Sequence, residues 1–359
     1  MNLLTIQTPK GTRIIGPGHP VFIVTELSCN HHQRYEEAVA LIDAATQAGA
    51  DAVKLQTYTA DTITIDSDKE WFQIKVNDAW KGQTLYSLYQ QAYTPWEWQP
   101  KLQAYGESKG LVVFSSPFDE TAVDFLETMN APLYKVASFE IVDIPLLKKI
   151  AATKKPVILS RGLAAEEEIA EAVNTLRQGG CVSIAVLHCI SAYPAALEDM
   201  NLRTIPDIMK RFDVVSGLSD HNLNPAVDIA AVAVGASIIE KHIILKRSDG
   251  GFDAAYSLEP NELKELVDTI RHTEKALGKV TYELGVKEKE NRQFRPSLFA
   301  VQDIELGESF TPDNVRSIRP SHGLPPKWLE RVIGKKASRN IERGTPLSLD
   351  LIEAHEKDV

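Results

Sequence analysis

Short runs of apolar, largely β-branched residues recur from the start of the chain to Gly278, separated by longer stretches with helical spacing. Eight runs read as strands: VFIVTELS, DAVKLQTY, LVVFSSPF, LYKVASFE, PVILSRG, SIAVLHCI, VVSGLSDH and SIIEKHIIL. Their apolar cores are continuous, which suits strands buried on both faces of a parallel sheet. The segments between them read as helices. Ala38, Leu41, Ile42 and Ala45 keep the spacing of one buried helical face, and Gly49 sits at the stop. Ile169, Val173 and Leu176 repeat that logic before Gly179-Gly180, and Asp119 is placed to cap DETAVDFLETMN. A short polar opening, turning at Lys10-Gly11, precedes the first run. Eight strand-then-helix units predict a (β/α)8 TIM barrel. The competing doubly wound sheet lacks its glycine-rich dinucleotide loop after the first strand.

One connection is too long for a simple turn. Residues 59–100 are rich in aromatics, and their pattern gives little helix before Thr94. Long insertions in barrels usually lie over the site and shape it. A charged bridge, TYELGVKEKENRQFRP, follows the eighth helical segment. Beyond it the chain nearly repeats itself, as AVQDIELGESFTPDNV from Ala300 and ASRNIERGTPLSLDLI from Ala337. Ile304 then matches Ile341, Gly307 matches Gly344, Phe310 matches Leu347, Asp313 matches Asp350 and Val315 matches Ile352. Two copies of one motif predict a small pseudo-symmetric β-rich domain with a turn at each glycine. Alone it would be marginal, so it is expected to pack on a barrel, its own or a partner's. The expected division is a barrel over 1–280, a linker over 281–296 and the small domain over 297–359.

Composition narrows the class. Hydrophobic residues make up 43% and charged residues 25%, an ordinary globular balance. A net charge of −10 argues against a nucleic-acid binder, while leaving room for a local basic cluster that takes a small anion. Three cysteines, Cys29, Cys181 and Cys189, give no disulfide framework and point to reduced thiols in the cytoplasm. The opening residues lack a signal-peptide pattern, and no apolar run is long enough to span a membrane.

Barrel sites lie at the C-terminal ends of the strands. Those ends carry Glu26, Lys54, Gln56, Ser115, Ser116, Lys135, Ser138, Glu140, Ser160, Arg161, His188, Ser191, Tyr193, His221 and His242. Burying so polar a set without a use would be costly. A lone strand-end histidine is usually structural. Two on neighbouring strands, His221 and His242, equally suit an open metal site completed by water or substrate. Lys54 and Lys135, each flanked by apolar residues, fit three readings: an internal ion pair with Glu26 or Glu140, a clamp for phosphate or carboxylate, or a Schiff-base amine. Ser116, Ser138, Ser160 and Ser219 fit a phosphate cradle. Cys29 has no neighbour in sequence that would activate it as a nucleophile.

The segments TELSCNHHQ, KLQTY, FSSPFDETAVDFL, YKVASFEI, PVILSRG, LHCISAYPA, GLSDH, EKH and GGFDAAYSLEP resemble the sialic acid synthase family, in that family's order. RPSLFAVQDIELGE and SIRPSHGLPP resemble the antifreeze-like (SAF) domain which that family carries. Within the family, GQTLYSLYQQAYTPWEW, SPFDETAVDFLE and ASFEIVDIPL are similar to the branch that makes pseudaminic acid. The resemblance implies that phosphoenolpyruvate condenses with an open-chain 2,4-diacetamido-2,4,6-trideoxy-altrose, with Mn, Mg or Co as cofactor. It implies His221 and His242 as metal ligands, and Lys54, Ser116, Lys135, Ser138, Ser160 and Ser219 around phosphoenolpyruvate. Glu26 and Glu140 become the carboxylates at the reacting centre, and Gln56, Tyr193 and Asp253 face the sugar. Arg319, in SIRP, would reach into the partner's barrel in a domain-swapped homodimer. Two departures stand out: Arg161 where threonine is common, and Ser191-Ala192 before Tyr193 in place of an asparagine-containing stretch. Tyr86, Tyr89, Trp96 or Trp98 could contact a 6-deoxy methyl group or simply pack.

The alternatives are an N-acetylneuraminate or legionaminic acid synthase, a metal-independent Schiff-base aldolase, and a non-catalytic sugar- or ice-binding protein. The tail lacks the repetitive threonine face that ice binding calls for, and a binding module needs no pair of histidines beside a pair of lysines.

Overall fold

A computed structural model of the chain describes residues 3–75 and 82–353. It divides into two units, Met1–Gly278 and Lys279–Val359. In the first, a hairpin of β1 (Leu4–Thr8) and β2 (Gly11–Ile15) precedes the barrel. The barrel strands are β3 (Phe22–Glu26), β4 (Ala52–Thr57), β5 (Val112–Pro117), β6 (Tyr134–Val136), β7 (Val157–Ser160), β8 (Ile184–Cys189), β9 (Val215–Asp220) and β10 (Ile238–His242). All neighbours run parallel, and β10 closes on β3 with His242 opposite Glu26. The eight strands are those the apolar runs predict.

Period-2 alternation gives the barrel interior two zones. Low on the strands the inward positions are Phe22 and Val24, Ala52, Val112 and Phe114, Leu133, Ile158, Ala185 and Leu187, Val215 and Ile238. They pack with Leu4, Ile6 and Ile15 of the hairpin in one buried cluster, which plugs that end. Two residues further up, the same faces turn polar. Glu26 follows Val24, Lys54 follows Ala52, Ser160 follows Ile158, and Glu240 and His242 follow Ile238. Gly217 has an inward position in β9, where a Cβ would collide with the Ile238 carbonyl oxygen.

Helices cover the outer face. Helix α1 (Tyr35–Ala48) buries Ala38, Leu41, Ile42 and Ala45, and Gly49 ends it in the left-handed region at φ 84°. The insertion after β4 holds more helix than its pattern suggests. It carries α2 (Ala60–Ile63) and α3 (Leu85–Ala92) ahead of α4 (Gln99–Ser108). Thr59 and Thr84 cap α2 and α3 with their side chains, and Leu88 and Ala92, four apart, are buried. Caps of this kind stabilise helices too short to show clear periodicity. Helix α5 (Glu120–Thr128) starts at Asp119, which accepts hydrogen bonds from the amides of Thr121 and Ala122. Around the rest of the barrel run α6 (Ile144–Ala152), α7 (Glu166–Gln178), α8 (Thr204–Phe212), α9 (Pro225–Ala233) and α10 (Pro260–Leu277).

The second unit opens with α11 (Val286–Asn291), inside the stretch expected as a linker, and pairs β11 (Ser297–Ala300) with β12 (Val315–Ile318). The near-repeat is its architecture. Ile304 and Ile341 pair antiparallel, each amide bonding the other's carbonyl. Gly307 and Gly344 turn at φ 80° and 91°, and Phe310 and Leu347 share one buried core with both isoleucines.

Candidate active site

The polar upper zone of the barrel opens into a cavity of about 350 Å³. Lys54 and Lys135 project into it from β4 and β6. Lys54 is ion-paired with Glu26, its register partner on β3, and lies 3.7 Å from Glu240. Lys135 also lies 3.7 Å from Glu240 and donates a hydrogen bond to Ser160 at 2.7 Å. Glu240 therefore bridges both lysines, and Ser219 donates to it at 2.9 Å. Its role is not read from the sequence, although its place two residues before His242 puts both on the same strand face.

These charges are nearly sealed from water, so their electrostatics are strong. Burial pushes Glu26 up, to about 7, despite the pull of Lys54. Burial opposes the Lys54 ammonium, but Glu240 and Glu26 outweigh it and hold its pKa above the ordinary value. Glu240 stays below the usual carboxylate value because Lys135 and Lys54 outweigh its burial. Lys135 is lowered, chiefly by burial.

His221 and His242 do meet, as two neighbouring strand ends require. Their ring centroids are 5.3 Å apart. His221 donates from Nδ1 to the Ile190 carbonyl at 3.2 Å, which leaves Nε2 free of that bond. The Nδ1 of His242 is buried without a hydrogen bond and lies 3.6 Å from Asp253. Burial lowers His221 to about 4 and holds His242 well below its ordinary value, so both rings are neutral. Two neutral imidazoles, one with an unsatisfied buried nitrogen, fit an open divalent-metal site in which substrate and water supply the other ligands. Among the described residues no cluster of three or more His, Cys, Asp and Glu forms a closed cage.

Tyr256 sits against both rings, at 5.0 Å from His242 and 5.5 Å from His221, and donates its hydroxyl to Asp253. Ser28 donates to the other Asp253 oxygen, and the Ser28 amide donates to Glu26 at 2.9 Å. Ser28 and Tyr256 come from loops whose sequence shows no periodic signal. The Tyr193 ring lies against His221, tilted to it, with centroids 4.5 Å apart. Gln56 donates to Ser28 at 3.3 Å, and Ser138 accepts from Ser191 at 2.9 Å. Glu140 also lines the cavity. It faces neither lysine as an ion pair, its Oε2 is buried without a hydrogen bond, and burial raises its pKa to about 7.

Other strand-end residues sit elsewhere. Glu26 and Ser116 lie beneath the cavity floor, with Lys54 above them and 3.4 Å from Ser116. Ser115 turns outward to Thr57 at 2.6 Å. His188 cannot serve as a third histidine ligand. Its Nδ1 accepts from Arg161 at 2.9 Å and its Nε2 donates to the Met200 carbonyl at 2.5 Å. Arg161 is held behind the site by that same contact. Cys29 lines the cavity with its thiol pKa pushed well up by burial, which keeps it unreactive. Arg319 belongs to the second unit, just past β12.

The sequence profile described as NeuB family matches residues 41–282. The chain belongs to the NeuB family. A SAF domain profile matches residues 295–353 of this NeuB-family chain. A pseudaminic acid synthase from Campylobacter jejuni (strain 81-176) is 44% identical, over 91% of this chain and 95% of that one. One from Helicobacter pylori (strain 26695) is 42% identical, over 93% and 98%. The crystal structure of an N-acetylneuraminic acid synthetase from Leptospira borgpetersenii, in complex with citrate, is 32% identical with a TM-score of 0.68, over 78% of this chain and 92% of that one.

Proposed function

We propose that the protein is a pseudaminic acid synthase. It condenses phosphoenolpyruvate with the open-chain form of 2,4-diacetamido-2,4,6-trideoxy-β-L-altropyranose, giving pseudaminic acid and phosphate. The observation that carries this reading is the buried Lys54–Glu240–Lys135 bridge directly beside two neutral histidines. Phosphoenolpyruvate carries a carboxylate and a phosphate, and two buried ammonium groups with the hydroxyls of Ser138, Ser160 and Ser219 match both. Ser116 and Glu26 support Lys54 from below. Because Glu26 has its pKa near 7, it can accept a proton when the trianion arrives, releasing Lys54 to the substrate.

The methylene carbon of phosphoenolpyruvate forms the new bond to the sugar's aldehyde carbon, whose oxygen gains a proton. Water adds to the former C2, and the bond from that carbon to the phosphate oxygen breaks. Glu140 takes the proton from the water, since it is the cavity glutamate not ion-paired with Lys54 or Lys135. His221 and His242 would hold the divalent cation, Mn, Mg or Co, whose Lewis acidity polarises the aldehyde oxygen. Gln56, Tyr193 and Asp253 face the sugar. Asp253 is itself fixed by hydrogen bonds from Ser28 and Tyr256, one to each carboxylate oxygen. Arg319 is proposed to reach the partner's barrel in a domain-swapped homodimer, on the likeness of SIRP to the family's motif. Among the described residues no helix is long and apolar enough to cross a membrane, and a cytoplasmic setting is part of the same reading.

A Schiff-base aldolase is the second reading, favoured by the lowered pKa of Lys135. Incubation with both substrates, with borohydride in one arm and EDTA in another, separates the two. The synthase loses turnover in EDTA and forms no borohydride-trapped adduct. An adduct on Lys135 with turnover intact in EDTA would establish the aldolase.

A further inference from the structure

The cavity has a second, apolar wall that the chemistry above does not use. Ile63 ends α2, and Leu88, Tyr89 and Ala92 lie on successive turns of α3; all four line the cavity. Both helices belong to the insertion after β4. The ion pairs and histidines sit on strand ends, whereas the insertion adds the aliphatic side chains of Ile63, Leu88 and Ala92 beside the Tyr89 ring. Leu88 and Ala92 are held rigidly: α3 is capped by Thr84, and Tyr89 packs edge-on to Tyr58 at 5.5 Å. Three further aromatics of the insertion, Tyr86, Trp96 and Trp98, are occupied elsewhere. Tyr86 donates to Asp61 at 3.0 Å, Trp96 donates to the Tyr58 carbonyl and stacks on Phe125 at 4.7 Å, and Trp98 packs on His31 and Tyr35.

The aldehyde end of the sugar must lie at the histidines and lysines, because the new bond forms there. The far end of the six-carbon chain then points away from the strand ends, towards the insertion. In a 6-deoxy sugar that end is a methyl group, and in a 6-hydroxy sugar it is a hydroxyl. The side chains of Ile63, Leu88 and Ala92 have no hydrogen bond to offer a hydroxyl, so burying one against them leaves it unsatisfied. We propose that Ile63, Leu88 and Ala92 form the subsite for the sugar's C6 methyl group and select 6-deoxy over 6-hydroxy acceptors. This rests on the synthase reading and goes beyond it by naming the residues that set acceptor choice.

Differences of one small group in an apolar pocket are worth about 10–200-fold in kcat/KM. The test compares 2,4-diacetamido-2,4,6-trideoxy-altrose with its 6-hydroxy counterpart, in wild type and in Leu88→Gln, Ile63→Thr and Ala92→Ser. Wild type should prefer the 6-deoxy sugar by at least about 10-fold. The variants should lose most of that preference while the KM for phosphoenolpyruvate stays within about twofold, which shows that the barrel site is intact. Variants that keep the wild-type ratio, or that lose both sugars equally, would overturn the subsite. Ile63→Thr, the mildest change in shape, guards against a misfolded Leu88→Gln. Wild-type protein that ignores the 6-deoxy sugar altogether would overturn the synthase reading itself, a result distinct from an unchanged ratio.

Discussion

Of the three glutamates at the barrel mouth, Glu26 and Glu240 face lysines and Glu140 does not. A carboxyl held near pKa 7 by burial keeps its proton in mild acid and gives it up in mild alkali. If Glu140 is the base, kcat should rise as pH climbs through about 7 and fall below it. Glu140→Gln should lower kcat by about 100-fold or more with little change in the KM for phosphoenolpyruvate. Near-normal turnover in that variant would remove Glu140 from the role. Glu26→Gln should act differently, raising the KM for phosphoenolpyruvate, because it touches the reaction through Lys54. At this scale the sequence is partly legible. Types and strand positions announce Lys54, Lys135, His221 and His242. Strand alternation, applied strictly, also predicts that Arg161 and His188 turn outward, since Ser160, Leu187 and Cys189 take the inward positions. Ser28 and Tyr256 reach the site from loops, where no periodicity points to a face.

At the scale of elements, the triplets Ser219-Asp220-His221 and Glu240-Lys241-His242 alternate inward, outward, inward. The outward pair is a fully buried ion pair, with Lys241 at 2.6 Å from Asp220 and 3.2 Å from Asp228 on α9. Asp220 and Lys241 are register partners, so this contact fixes the two strand ends that carry the histidines. Lys241→Met strands two buried carboxylates and should cost about 3–5 kcal/mol in denaturant unfolding. The affinity for Mn, read by calorimetry, should fall as well. Replacing Asp220, Asp228 and Lys241 together by apolar residues should recover much of the stability. An unchanged unfolding midpoint in Lys241→Met would refute the argument. The eight strands are legible because parallel strands buried on both faces leave continuous apolar runs. Helices α2 and α3 are less so, because capping threonines rather than a long periodic face stabilise them.

For the whole molecule, the barrel carries the proposed reacting groups and the near-repeat forms a unit of its own. The repeat is legible because its matched isoleucines and glycines do the same structural work twice. The proposed reach of Arg319 to a partner's barrel is not legible, since a contact between chains would leave no periodic trace. Sedimentation should give twice the chain mass of 39.8 kDa. Arg319→Ala should lower kcat while the dimer and the KM for phosphoenolpyruvate persist. A monomer with full activity would contradict the domain-swapped assembly.

The most direct measurement is phosphate release from phosphoenolpyruvate with Mn present, run in parallel on N-acetylmannosamine and on the 2,4-diacetamido-trideoxy sugars of altro and manno configuration. Each run is repeated in EDTA. Release should occur with the altro sugar alone and be abolished by EDTA. Release with N-acetylmannosamine or the manno sugar instead, or release indifferent to EDTA, would contradict the proposed function.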